Sequence, residues 1–260
     1  MDKISVFLAD WQVLFREGIH FTLSGEEDID VIGEATENDD AFKQIQENTP
    51  TVAVLNSNHN NNSGISLTRR IRQNYPSVSV ILIMDNEDED IYFSALKCGA
   101  SACVTKNIDP EDIVALIRNI SRGANPVNEV IFRPGMAAKI LEEFENFTQL
   151  DSVTDNMLAG LSAHENSILQ MIAAGDSLDM IAAKLSVEKE NVKKHLDTVL
   201  FKLVKNDYSR ELIEAAQRNM GPVKMPVRGK KGVEYVSREE FDAFKESIKD
   251  RFRAFLGELN

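Results

Sequence analysis

Hydrophobic and polar positions in the first 124 residues follow two alternating patterns. Short apolar runs at 4–9, 30–35, 51–55, 79–84 and 101–105 have the length and composition of strands. Between them, stretches around 13–23, 39–46, 65–72, 87–97 and 110–120 carry apolar residues at helical spacing. The last of these opens with Asp109-Pro110, an N-cap followed by proline at the first helical position. Five strand–helix units in succession predict an α/β doubly wound fold, with a parallel sheet between two layers of helices.

The pattern then changes to helices alone. A connection over 125–152 holds a predicted helix at 136–147, with Ile140, Leu141 and Phe144 on one side. Residues 161–205 give three helices in quick succession. Ser162 and Glu165 form a capping box for the first, and Gly175 offers a left-handed end to it. Ser177 can cap the second helix, which runs through Ile181 and Leu185, and a four-residue turn with Val187 leads into the third. There Val192, Leu196, Val199, Leu200 and Leu203 share one face. Two short helices, a tight turn and a longer helix form the helix-turn-helix plan, whose last helix can enter a DNA major groove.

A tail extends beyond this. Residues 221–236 contain Lys224, Arg228, Lys230 and Lys231 among prolines and glycines, and read as a basic arm or a solvated linker. A second capping box, Ser237 with Glu240, then opens a predicted amphipathic helix over 238–256. Its Phe241, Phe244, Ile248, Phe252 and Phe255 fall within an arc of about 80° at 100° per residue. Burying each is worth about 1.5–3 kcal/mol, so this stripe calls for a partner: its own chain, a second copy or another protein.

Composition narrows the classes. The 260 residues allow about two domains, and 43% hydrophobic content is ordinary for a globular protein. The first residues lack a basic flank followed by a long apolar run, and no stretch approaches 18 apolar residues, so neither a signal peptide nor a membrane span is expected. Cys98 and Cys103 make no disulfide framework and read as reduced core residues, which points to a cytoplasmic protein. The net charge of −13 is concentrated at the front: Lys+Arg against Asp+Glu is 12 to 24 in residues 1–150, 8 to 11 in 151–220 and 9 to 7 in 221–260. A slightly acidic helix-turn-helix region is awkward for gripping phosphates. The histidines at 20, 59, 164 and 195 show no metal-ligand spacing, and no Gly-rich phosphate loop or nucleophile–base motif appears. Neither a metal, a cofactor nor an enzymatic activity is expected.

The helical region resembles the LuxR/GerE-type output domain, through Leu161, Glu165, Gly175, Ile181-Ala182, Leu185, Val192-Lys193, His195, Leu200 and Lys202-Leu203, with residues 209–218 as a fourth helix. The front half resembles a response-regulator receiver domain. The matching pieces are Phe7-Leu8-Ala9-Asp10, Phe15-Arg16-Glu17-Gly18, Ile32-Gly33-Glu34-Ala35, Ala95-Leu96, Gly99-Ala100-Ser101 and Lys106. Together they resemble the NarL/FixJ family. The resemblance implies a flavodoxin-like receiver with strand order 2-1-3-4-5 over residues 1–124, a linker helix over 125–152 and an all-α helix-turn-helix domain over 153–220. Residues 221–260, the basic arm and amphipathic helix, lie outside it.

The resemblance also implies a phosphoryl switch, and here the chain departs from its family. Asn56 stands at the acceptor position, Trp11 replaces one of the two acids that hold Mg²⁺, and Met84 occupies the Ser/Thr position. Cys103 stands at the aromatic switch position, so only Asp10 and Lys106 remain, a potential pair with a structural role. A carboxamide is no phosphoryl nucleophile and adds no charge for a divalent ion. The expectation is therefore a pseudo-receiver indifferent to aspartyl phosphorylation. On the third helix, Glu190, Lys194, Asp197 and Phe201 point outward, and Lys189, Asn191, Lys193, Lys194 and Lys202 are the candidate DNA contacts. His195 is expected beside the packed face. The leading expectation is a dimeric transcription regulator of double-stranded DNA, and the alternative is a protein-interaction adaptor working through Phe201 and the Phe-rich tail.

Overall fold

The computed structural model describes residues 3–57, 63–154 and 158–219. Strands β1 (Ile4–Ala9), β2 (Ile29–Ala35), β3 (Val52–Asn56), β4 (Ser79–Met84) and β5 (Ala102–Thr105) form one parallel sheet. Its order is β2-β1-β3-β4-β5, as the resemblance implied. The crossovers are α1 (Val13–Ser24), α2 (Asn38–Glu47), α3 (Ser63–Asn74), α4 (Glu89–Cys98) and α5 (Pro110–Ser121).

Strand alternation divides the core. Val6, Leu8, Val54, Ile81 and Ile83 face α1 and α5, where Ile19, Leu23, Ile113 and Ile117 meet them. Phe7, Ala9, Leu55, Leu82 and Met84 face the other way, and their cluster does not stop at the sheet layer. It continues through Val127, Val130 and Ile131 of a 3-10 segment at Pro126–Phe132, then through Met136, Ile140 and Phe144 of α6 (Pro134–Thr154). From there it enters the helix-turn-helix, formed by α7 (Ala163–Ala173), α8 (Leu178–Leu185) and α9 (Lys189–Asn219). Among the described residues no helix is long and apolar enough to cross a membrane.

Local chemistry sets the ends of these helices. Ser162 and Glu165 form the expected capping box, and Ser177 accepts from the Met180 N–H. Gly175, at φ +92°, takes the left-handed conformation that ends α7. One expectation fails: no separate fourth helix spans 209–218, because α9 runs unbroken for 31 residues. Glycine and proline are both missing between Phe201 and Asn219, so nothing in the backbone ends the helix. Asn206 and Asp207, which elsewhere favour helix ends, have their side chains engaged. Asn206 donates to Ala159 O and accepts from Ala159 N, both at 2.8 Å, while Asp207 takes Arg69 of α3.

The start of α3 lies hard against the end of β3. A Cβ on Gly64 would stand 1.9 Å from the Asn56 carbonyl oxygen and 2.9 Å from Ser57 Cα, both backbone atoms that cannot swing aside. Gly64→Ala is therefore expected to lower the unfolding free energy by about 2–3 kcal/mol, seen as a lower urea midpoint. A shift below about 0.5 kcal/mol would show that the contact is not tight.

Candidate functional site

Two places carry the chemistry expected from the sequence: the C-terminal edge of the sheet and the outer face of α9. At the sheet edge Asp10 is buried and accepts from Gln12 N at 2.8 Å and Asn56 Nδ2 at 2.9 Å. Asn56 closes β3 and is itself buried. Its amide thus turns a donor toward Asp10, where a carboxylate would have turned an acceptor. Lys106 does not pair chiefly with Asp10, whose Oδ2 is 4.0 Å away. Its ammonium sits 2.5 Å from Asp85 Oδ1 and donates to Gln12 Oε1 at 2.9 Å, between the rings of Trp11 and Phe15. Asp85, the residue after β4, escaped the sequence reading because its position carries no family signature.

Met84 is fully buried, with the Cys103 thiol 3.8 Å from its sulfur. Burial pushes the thiols of both Cys98 and Cys103 up to about 12, so each is a protonated, inert core group at neutral pH. This donor set does not fit a hard divalent cation: one carboxylate is already bonded to an N–H and an amide, and a second is held by a lysine.

On the helix-turn-helix, α8 ends at Ser186 with φ 54°, a left-handed residue that turns the chain into α9. Val192, Leu196, Val199, Leu200 and Leu203 are buried. Lys189, Asn191, Lys193 and Lys194 are exposed, as are Glu190, Asp197 and Phe201. Lys189 pairs with Asp179 of α8. His195, expected beside the packed face, is exposed instead, with its ring 6.1 Å from that of His164. Glu190, Lys193 and Asp197 line a cleft against Asn125, Asn128 and Glu129 of the linker. Asn191 and Lys194 lie on the opposite flank.

Lys202 has a different role. Its ammonium lies 2.7 and 3.0 Å from the two oxygens of buried Glu165, and it donates to Gly160 O at 3.1 Å. It therefore braces the capping box from within the domain. The amphipathic stripe of Phe241, Phe244, Ile248, Phe252 and Phe255, the basic arm and the Asn-rich loop after Ser57 lie outside the described residues.

Between the two places runs a buried ion cluster. Arg69 of α3 reaches Asp207 of α9 at 2.7 and 2.8 Å and Glu211 at 2.6 Å. Lys97 of α4 donates to Glu143 of α6 at 2.7 Å, and Arg210 reaches the same oxygen at 3.1 Å. Burial works against the Arg69 charge, but Asp207 and Glu211 outweigh it and raise its basicity.

Residues 6–118 match the response regulator receiver domain, and residues 159–210 match the bacterial regulatory proteins of the luxR family. The two matches thus define a receiver followed by an output domain of the DNA-binding type, the plan of transcriptional response regulators. The chain joins a response regulator receiver domain to a luxR-family regulatory domain, and its relatives are response regulators with the same two parts. Its relatives include the transcriptional regulatory protein YxjL of Bacillus subtilis, 29% identical over 219 residues that cover 84% of this chain and 98% of that protein. The response regulator VraR of Staphylococcus aureus is 28% identical over 218 residues, covering 84% of this chain and 98% of its own. The transcriptional regulatory protein DegU of Brevibacillus brevis is 24% identical over 225 residues, 82% of this chain and 93% of that one.

The Lys202–Glu165 contact has a pH signature. Burial pushes the Glu165 carboxyl up, but Lys202 and the Ser162 N–H outweigh it and hold it below its ordinary 4.5. A depressed carboxylate stabilises the fold above its unfolded value and loses that contribution as pH falls through the folded one. Lys202→Met is expected to cost about 2 kcal/mol at pH 7, with the deficit shrinking below pH 4.5. Thermal melts at pH 7 and pH 3.5 read both, and equal deficits at the two would show that the ion pair is not responsible.

Proposed function

We propose that this chain is a DNA-binding transcription regulator that acts as a dimer and is not switched by aspartyl phosphate. The carrying observation is Asn56: its amide stands where the family's acceptor carboxylate belongs and is hydrogen-bonded to Asp10 at 2.9 Å. Attack on a phosphoryl donor needs a nucleophilic oxygen, and a carboxamide offers none at neutral pH. The Gly64 backbone pressed against the Asn56 carbonyl and Lys106 held by Asp85 leave that corner of the sheet bonded within the chain itself.

Lys189, Asn191, Lys193 and Lys194 are our candidates for DNA contact, with Lys202 set aside for its structural duty. Lysines near the start of the recognition helix can neutralise phosphates or donate to guanine edges, and an asparagine can reach backbone or base. Glu190 and Asp197 oppose nonspecific phosphate contact and favour selectivity over raw affinity. An adaptor role has one observation in its favour, the 71% exposed Phe201 on the same helix.

Three measurements test the reading. Incubation with acetyl phosphate or beryllofluoride and Mg²⁺ is expected to give no adduct by intact-mass spectrometry, and a stoichiometric adduct would defeat the phosphate-independent part. Binding of selected genomic fragments is expected to weaken steeply between 50 and 200 mM salt, on the order of tenfold or more. Lys194→Ala is expected to reduce affinity by roughly three- to thirtyfold and the salt slope by about one. Failure to bind any duplex at low salt would leave the adaptor in its place.

A further inference from the structure

Of the eight large apolar side chains exposed among the described residues, four belong to one stretch: Trp11, Val13, Leu14 and Phe21. Leu14 is 90% and Phe21 84% exposed, values close to those of a free chain. Leu14, Gly18 and Phe21 fall on one line along α1, at i, i+4 and i+7. A Cβ added to Gly18 would meet nothing within 4 Å, so a dimple lies between the two large side chains. An aromatic ring fits such a dimple.

The rim of this patch carries more acids than bases. Glu17 is exposed one turn beyond Leu14 with Arg16 3.8 Å away, and Glu26, Glu27 and Asp28 follow the end of α1, where Arg118 bridges Glu26 and Asp28 and Arg122 also acts on Asp28. The other exposed aromatic group, Phe201 and Tyr208 on α9, has Arg72 and Lys205 beside it, together with Arg69 and Lys97 already held by Asp207, Glu211 and Glu143. A partner for α1 should therefore carry apolar side chains between basic ones.

Residues 238–256 of this chain have that pattern. Placed on a helical wheel, the stripe of Phe241, Phe244, Ile248, Phe252 and Phe255 is bordered by Arg238, Lys245 and Lys249 on one side and by Arg251 and Glu240 on the other. Four of these five flanking charges are basic, which disfavours the cationic surroundings of Phe201 and favours the acidic surroundings of Leu14 and Phe21. The chain between Asn219 and residue 238 can span roughly 60 Å when extended, enough to pass from the α9 side of the sheet to the α1 side.

We propose that residues 238–256 dock on the exposed face of α1, through the apolar stripe over Leu14, Gly18 and Phe21 and basic flanks against Glu17 and the 26–28 acids. This surface takes the tail whether or not the protein binds DNA, so it stands apart from the function proposed above.

Trp11, the chain's one tryptophan, borders the patch and reports on it. Acrylamide quenching of the full-length protein is expected to show a shielded indole. Phe244→Asp with Phe252→Asp in the tail, and separately Phe21→Asp on α1, should each raise the quenching constant at least twofold and shift the emission to the red. A carbodiimide should join Glu17 or Glu27 to Lys245 or Lys249, a cross-link found by peptide mapping and lost in the Phe21→Asp protein. Phe21 is 84% exposed, so the fold does not need its ring, and an unchanged urea midpoint of the sheet domain would verify that each variant keeps the fold. Quenching that ignores the tail variants would overturn the proposal and give the α1 face to a second copy or another protein. Tail variants that unshield Trp11 while Phe21→Asp does not, or cross-links that land on α9, would also overturn it.

Discussion

The contact between Arg69 and Asp207 is the constraint from which the arrangement of the molecule follows. Asp207 is 1% exposed, so its charge lies away from water and needs a fixed partner. The guanidinium supplies two bonds to it and a third to Glu211. Removing either side would strand a buried charge, which costs far more than the pair adds when intact. The pair thus specifies a position more than it supplies stability, and Lys97, Glu143 and Arg210 extend that specification to α4 and α6. The apolar cluster that runs unbroken from the sheet to the helix-turn-helix supplies the area, and the ions choose the register.

At the far end of the sheet the polar groups bond to one another locally. Asp10 keeps its place but spends its lone pairs on Gln12 N and Asn56 Nδ2, while Lys106 settles on Asp85. Each polar group there has a nearby partner of its own, so the corner is electrostatically closed without any added ion. Met84 and Cys103 make the adjoining layer apolar.

Much of this was legible in the chain. The parallel strands announce themselves because buried β-strands admit almost nothing but apolar residues, and the starts of α4, α7 and α8 carry caps that act within three residues, whereas Asp109 makes no side-chain cap bond to α5. Asn56 and Trp11 could be placed because neighbouring motifs fix the register. What could not be read were bonds between elements far apart in sequence. Asp85 and Asp207 carry no local signal of their roles, and Lys202 reads as a DNA contact, because their partners lie 21, 37 and 138 residues away. The separate fourth helix that the resemblance implies is absent for the same reason: Asn206 and Asp207 are tied to the backbone of Ala159 and the side chain of Arg69, and α9 runs on.

The unbroken α9 turns that misjudged detail into a mechanical property. Lys193 and Asp207 sit on one rod, 14 residues and thus about 21 Å apart. Rotating that rod by about 10° about its clamped end would sweep the lysine through about 4 Å, on the order of the separation between paired strands. A jointed pair of helices would dissipate such a tilt in the turn between them; a single shaft delivers it whole.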